Sequence, residues 1–246
     1  MANTISPFCS YVNLTTKCNP RKNGLRDIDT ITIHMYVGQV TAKSGVDYFK
    51  NNGKKNSVNY VVGHDGSIGC SVPEESRAWT TGSRENDYRA ITIETACDKE
   101  APFSITEAAY RSLVALCADI AARYNMNGLR WSNDKNLIGK TELQNITLHK
   151  WFENTSCPGE DIIGRLPKLV SDVNTILDVK IQNGEKTVPF FIKVTDPYVK
   201  IYKSPDGLYM GKATGIGTFT IIEVKDNWGK LKSGIGWINL NDVTIA

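Results

Sequence analysis

No stretch of this 246-residue chain runs apolar for anything near the ~20 residues that a membrane-spanning helix needs, which argues against a helical membrane span. Charge of one sign is also missing. The formal net charge is +3, spread along the chain without a basic stripe to hold a phosphate backbone, and this disfavours nucleic acid as a partner. The N-terminal segment MANTISPFCSYVN has neither the basic start nor the apolar core of a secretory signal. Histidine is scarce, with three residues in all, so where they fall carries information.

Two of the three sit in segments suited to chemistry. His34 ends the apolar run ITIH, and His149 and Cys157 bracket HKWFENTSCPG. Two imidazoles and a thiolate offer three good zinc ligands and leave a fourth tetrahedral position open for water, the arrangement of a catalytic site rather than a structural one. Each residue also has a plainer reading. A histidine at a strand end is more often a partly buried polar side chain, and the spacing of His149 to Cys157 is not that of a tight zinc knuckle. The local sequence strengthens the case, because Pro158 and Gly159 turn the chain directly after Cys157 and an acidic, helix-like stretch begins at Asp161.

Strand parity adds a fourth residue. In TITIHMY, residues 30–36, the side chains of Ile31, Ile33 and Met35 share one face, and those of Thr32, His34 and Tyr36 share the other. AITIETA, residues 90–96, has the same pattern, with Ile91 and Ile93 on one face and Thr92 and Glu94 on the other. If the two are neighbours in one sheet, a greasy face packs on helices and Glu94 stands beside His34. A carboxylate near a metal-bound water is what metal-assisted hydrolysis needs as a general base. The plainer reading of Glu94 is an edge-strand surface charge.

Helical spacing of Tyr110, Leu113, Val114, Cys117, Ile120, Ala121 and Tyr124 predicts a helix over 104–124, with Ser104 and Glu107 as a capping box and Asn127-Gly128 after its end. A second helix is expected within 161–177, with Pro167 in the first turn of its main segment, and a shorter one at 43–51. Strands alternating with these give an α/β fold, a mixed central sheet flanked by helices. Residues 178–188 lose the periodicity and read as a linker. Beyond it, FFIKV, YVKIY, TFTIIEV, WGKLK and GWINL are short strand-like runs punctuated by turn residues, as in a small all-β barrel over 189–246. Of the six cysteines, Cys97 and Cys117 read as core, Cys9 and Cys18 lie in an irregular polar stretch where a disulfide is conceivable, and free thiols are the expectation. His64, in the turn HDG, reads as a solvated turn residue.

Five blocks in order, ITIH, SVNYVVGHDGSI, SRAWTTGS, AITIETA and LHKWFENTSCPG, make residues 28–177 resemble the zinc-dependent N-acetylmuramoyl-L-alanine amidases of the type 2 family, whose fold is shared with peptidoglycan recognition proteins. The resemblance implies a zinc amidase domain over 1–177, with His34, His149 and Cys157 as zinc ligands and Glu94 as catalytic acid/base. Departures are informative. Many relatives carry histidine where this chain has Asn59, and another after the tryptophan, where it has Thr80; with Tyr36 these are the candidate substrate-binding residues. Some relatives carry lysine where this chain has Thr155, so Thr155 is the candidate for assisting at the scissile carbonyl. DNWGKLKSGIGWINL makes the C-terminal segment resemble bacterial SH3-like domains, which hold peptidoglycan; Tyr202, Tyr209, Trp228 and Trp237 are the candidate wall contacts, with both tryptophans alternatively filling the barrel. The expected partner is bacterial peptidoglycan, cut at the amide between N-acetylmuramic acid and L-alanine. The expected setting is a phage or prophage lysis enzyme, made in the bacterial cytoplasm and acting on the wall after release. Two rivals stand beside it: a non-catalytic recognition module of the same fold, which the presence of Cys157 and Glu94 opposes, and a Cys/His peptidase, which would pair a thiolate with a later histidine.

Overall fold

A computed structural model describes residues 4–182, 188–225 and 227–245. The chain divides into two compact units, Met1–Asn174 and Thr175–Ala246.

In the first unit the strands are β1 (Tyr11–Val12), β2 (Cys18–Pro20), β3 (Thr30–Val37), β4 (Tyr60–Val62), β5 (Ile68–Cys70), β6 (Ser76–Ala78), β7 (Ala90–Cys97) and β8 (Ile146–Leu148). Six of them form one sheet in the order β1-β5-β4-β7-β3-β8, and β2 pairs with β6 separately. Pairing is parallel throughout the sheet except for the β4–β5 hairpin. β3 and β7 are adjacent and in register, Ile33 opposite Ile93 and His34 opposite Glu94, as the shared alternation of the two segments predicts.

The α-helices are α1 (Ala42–Asn51), α2 (Arg84–Arg89), α3 (Glu107–Arg123) and α4 (Glu160–Gln182), the last running past the unit boundary. Ile31, Ile33, Ile91 and Ile93 are fully buried. On the other face Val61, Val46 and Phe49 form a cluster joined by Tyr36, so α1 covers part of the face that carries His34 and Glu94.

Several local expectations are corrected. Thr106, not Ser104, caps α3, its hydroxyl accepting from the Ala109 amide and donating to the His64 carbonyl. Pro167 lies inside α4 rather than in its first turn, because residues 160–166 are already helical. The same helix runs on to Gln182, into the segment read as a linker, because DVKIQ holds no breaker before Asn183-Gly184. The rest of that linker lies largely outside the described residues. His64 is half-buried rather than solvated, its Nδ1 shielded from solvent with no hydrogen-bond partner among the described residues. All six cysteines are free, and Cys97 and Cys117 are buried.

Glu74 is the buried charge with most at stake away from the site. It is 0% exposed, and its carboxylate accepts from Tyr60, from Tyr124 and from both terminal nitrogens of Arg123. Removing Glu74 leaves the Tyr60 hydroxyl without its acceptor and Arg123 with Asp119 alone, so Glu74→Ala should lower the unfolding free energy by about 3 kcal/mol in urea titration.

The second unit contains β9 (Phe190–Val194), β10 (Lys200–Tyr202), β11 (Tyr209–Ala213), β12 (Gly217–Lys225), β13 (Trp228–Leu231), β14 (Trp237–Asn239) and β15 (Thr244–Ile245), in the order β11-β10-β14-β13-β12-β9-β15, every pairing antiparallel. Its core is Ile192, Val194, Val199, Ile201, Ile221, Leu231, Ile238 and Leu240.

Candidate active site

The register of β3 and β7 sets two functional side chains next to each other. His34 and Glu94 are directly opposite residues of a parallel pair, so both project from the same face. β8 lies on the other side of β3 and ends at Leu148, which delivers His149 to the same end of the sheet. The chain then turns back, the Lys150 amide donating to the Cys157 carbonyl at 3.1 Å. Thr155 Oγ1 accepts from the Cys157 amide at 3.2 Å, and the Met35 amide donates to Cys157 Sγ at 3.4 Å, which ties the thiol to β3. Gly159 has a φ of +86°, and a Cβ there would lie 3.0 Å from Phe103 and 3.1 Å from Met35 Sδ, so the turn after Cys157 needs glycine for both conformation and space.

The result is a compact donor set. One donor atom each from His34, His149 and Cys157 lies within 4.8 Å of the others, and among the described residues this is the group that could hold a metal ion. The His34 and His149 ring centroids are 4.8 Å apart, and His34 Nδ1 is 3.5 Å from Cys157 Sγ. A tetrahedral zinc with Zn–S of about 2.3 Å and Zn–N of about 2.0–2.1 Å requires an N···S edge of about 3.5 Å, so the pair is spaced to share one ion. Burial and the neighbouring His149 push His34 well below the usual imidazole range, which keeps it in the neutral form that a metal ligand requires. Burial, and then the Glu94 carboxylate, push the Cys157 thiol up, and a bound cation would favour its thiolate form. The donors fit zinc.

Glu94 Oε2 is shielded from solvent and has no hydrogen-bond partner among the described residues. Burial without a compensating partner pushes its carboxyl up to about 8, the range in which one group can both accept and return a proton near neutrality.

The other predicted residues are placed differently. Tyr36 stands two residues beyond His34 on the same face, its ring edge-on to Tyr48 at 5.7 Å and to Phe49 at 6.0 Å. Asn59 is fully buried, and its amide is spent inside the protein: Nδ2 donates to the Val72 and Ser76 carbonyls and Oδ1 accepts from Thr92. These bonds tie the residue before β4 to β7 and engage both amide atoms inside the protein. Thr80 Oγ1 donates to the Ser57 carbonyl and meets Thr92 Oγ1 at 3.0 Å, which extends the same network. Thr155 is half-exposed and shapes the Cys157 turn. In the second unit Tyr209 is 49% exposed, whereas Trp228 is only 8% exposed with Tyr202 edge-on against it at 4.9 Å, and Trp237 is equally buried. Trp228 is therefore a supporting ring rather than a free wall contact. Glu153 was not singled out by the sequence pattern, yet its Oε2 lies 3.1 Å from His149 Nε2; the only signal was its place four residues after the histidine.

Similarity to known proteins agrees with this geometry. The profile of the N-acetylmuramoyl-L-alanine amidase family matches residues 24–160. Among solved structures, PlyL is 19% identical with a TM-score of 0.50, covering 66% of this chain and 95% of PlyL. A selenomethionine derivative of AmpD is 20% identical with a TM-score of 0.50, covering 69% of this chain and 98% of AmpD. The PlyG catalytic domain is 18% identical with a TM-score of 0.50, covering 67% and 93%. These three share the fold of the first unit's α/β sheet. No curated protein sequence matches the chain. With more than half of its length matched, and the histidines, the cysteine and the glutamate of the pattern gathered at one end of one sheet, the chain belongs to the N-acetylmuramoyl-L-alanine amidase family.

Proposed function

We propose that the first unit hydrolyses the amide between the lactyl group of N-acetylmuramic acid and L-alanine in peptidoglycan, with zinc held by His34, His149 and Cys157. The observation that carries this reading is the convergence of those three donors beside Glu94, in register on the neighbouring strand. When bound, zinc would acidify a water molecule and stabilise the oxyanion of the attacked carbonyl. Glu94 takes the proton from the attacking water and returns it to the departing alanine amine, which balances the step. Burial of His34 and Cys157 keeps bulk water from competing for the donors. Thr155, whose hydroxyl proton is not committed by its bond to the Cys157 amide, is the candidate for a further hydrogen bond to the scissile carbonyl. Tyr36, two residues beyond His34 on the same face of β3 and packed toward α1, is the candidate substrate contact on that side.

The second unit acts as an SH3-like wall-binding domain in this reading. Support comes from its short antiparallel strands around one aliphatic core and from Tyr202 and Tyr209, whose rings lie 6.0 Å apart at the sheet's β10–β11 end. Lysis of a bacterial host by a phage or prophage is the setting that suits a wall-cutting unit joined to a wall-holding one. Tethering acts through effective concentration on a multivalent surface and adds no chemistry. A fragment ending at Gln182, which keeps α4 whole, should therefore cleave a small soluble muropeptide at nearly the full-length rate, while its co-sedimentation with intact walls falls sharply. Full pelleting of the fragment would place wall binding in the first unit alone.

A chelator separates zinc chemistry from a cysteine nucleophile. Activity should disappear on metal stripping and return with added zinc. Activity that survives stripping but is lost to thiol alkylation would favour the peptidase alternative.

A further inference from the structure

We infer that Glu153 is a positioning residue for His149: its carboxylate takes a hydrogen bond from Nε2–H and so leaves the Nδ1 lone pair for the metal. The inference rests on the zinc reading of the site.

Three observations carry it. The contact is close and local: Glu153 Oε2 lies 3.1 Å from His149 Nε2, and the backbone directs it, since the amides of both Phe152 and Glu153 donate to the His149 carbonyl at 2.9 Å and 3.2 Å. The Glu153 side chain is 54% exposed, and the edge of its carboxylate that is turned from solvent lies against Gly82. Gly82 has a φ of +74°, and a Cβ there would fall 2.1 Å from Glu153 Oε1, so the carboxylate occupies space that any other residue at position 82 would claim. Finally, Glu153 is outside the donor group formed by His34, His149 and Cys157, so its oxygen serves the histidine and not the ion.

The chemistry follows from imidazole. A neutral ring has one N–H and one lone pair, and whichever nitrogen donates to a fixed acceptor leaves the other free to coordinate. Ligating histidines commonly hand their second nitrogen to a carboxylate, which orients the ring and raises its basicity; loss of such a partner typically costs 10–100-fold in metal affinity. His34 has no such partner among the described residues, because its Nε2 is buried without one. Orientation of the ligand pair therefore depends on Glu153 at His149 and on packing at His34.

The test uses the full-length chain and zinc alone. Zinc dissociation constants, measured by competition with a chromophoric chelator, should rise about 10–100-fold in Glu153→Ala. Glu153→Gln keeps an acceptor oxygen without the charge and should lose less affinity than Glu153→Ala. Melting temperatures of the metal-stripped variants should match that of the stripped parent, since a merely structural role would lower them. Nitrogen-15 NMR of the zinc-loaded parent should show a slowly exchanging proton on His149 Nε2 and a metal-bound Nδ1, a readout that does not depend on any variant folding. Equal zinc affinity in Glu153→Ala and the parent, or a metal-bound Nε2, would overturn the proposal while leaving the zinc site intact. A parent chain that takes up no zinc would overturn the metal reading, and this proposal with it.

Discussion

Glu94→Gln should leave zinc content and melting temperature unchanged while reducing turnover by ~10²-fold or more, the usual cost of losing a general base. Glutamine is isosteric and neutral, and among the described residues Glu94 makes no ion pair that the change would break. Oε2 has no hydrogen-bond partner among the described residues, and burial already favours the uncharged form of the side chain. Fold and chemistry are thereby separable at this position. The loss should appear in kcat, because a group that moves a proton acts in the transition state rather than in binding. A glutamine variant that turns over at near the parent rate would return Glu94 to a buried structural residue and move the proton to another group.

Cys157→Ser should remove most of the bound zinc, read as metal per chain after gel filtration. Serine keeps the size of the side chain and its neighbours, including the Met35 amide that points at it, but its hydroxyl is not ionised at neutral pH and offers no thiolate. Activity should fall with the metal. Cys117→Ser is the matched control. Cys117 is also buried but lies on α3 away from the donor group, so its zinc content should stay at one per chain. Full zinc retention in Cys157→Ser would remove the cysteine from the ligand set.

The features legible in the sequence are those with a strict physical period. ITIH and AITIETA alternate with period two over enough residues to specify both strand and face, and a one-residue slip would have buried His34 among the isoleucines. The helix at α3 shows itself because a long amphipathic stripe repeats through nearly five turns. The elements that the sequence hides lack a period. α2 has six residues, and the side chains it buries are the polar Asn86 and Asp87, so no apolar stripe marks it. β11 is exposed on both faces and carries Gly211 with a φ of +69° at its centre, so the alternation that marks a strand is absent. The hydrogen bonds of Asn59 depend on Thr92 and on carbonyls of Val72 and Ser76, which only the folded sheet brings to it, so its place in the chain does not announce them. The donor group itself spans 123 residues of chain between His34 and Cys157, and its 3.5 Å closure is a tertiary fact that spacing alone could only suggest.

Cleavage at the lactyl–alanine amide is the central claim, and mass spectrometry of purified peptidoglycan digested by the full-length chain tests it most directly. The digest should contain stem peptides with a new free L-alanine amino terminus, alongside glycan strands whose muramic acid keeps an unsubstituted lactyl carboxyl group. New reducing sugar ends, or free amino termini only within the stem or cross-bridge, would contradict the account.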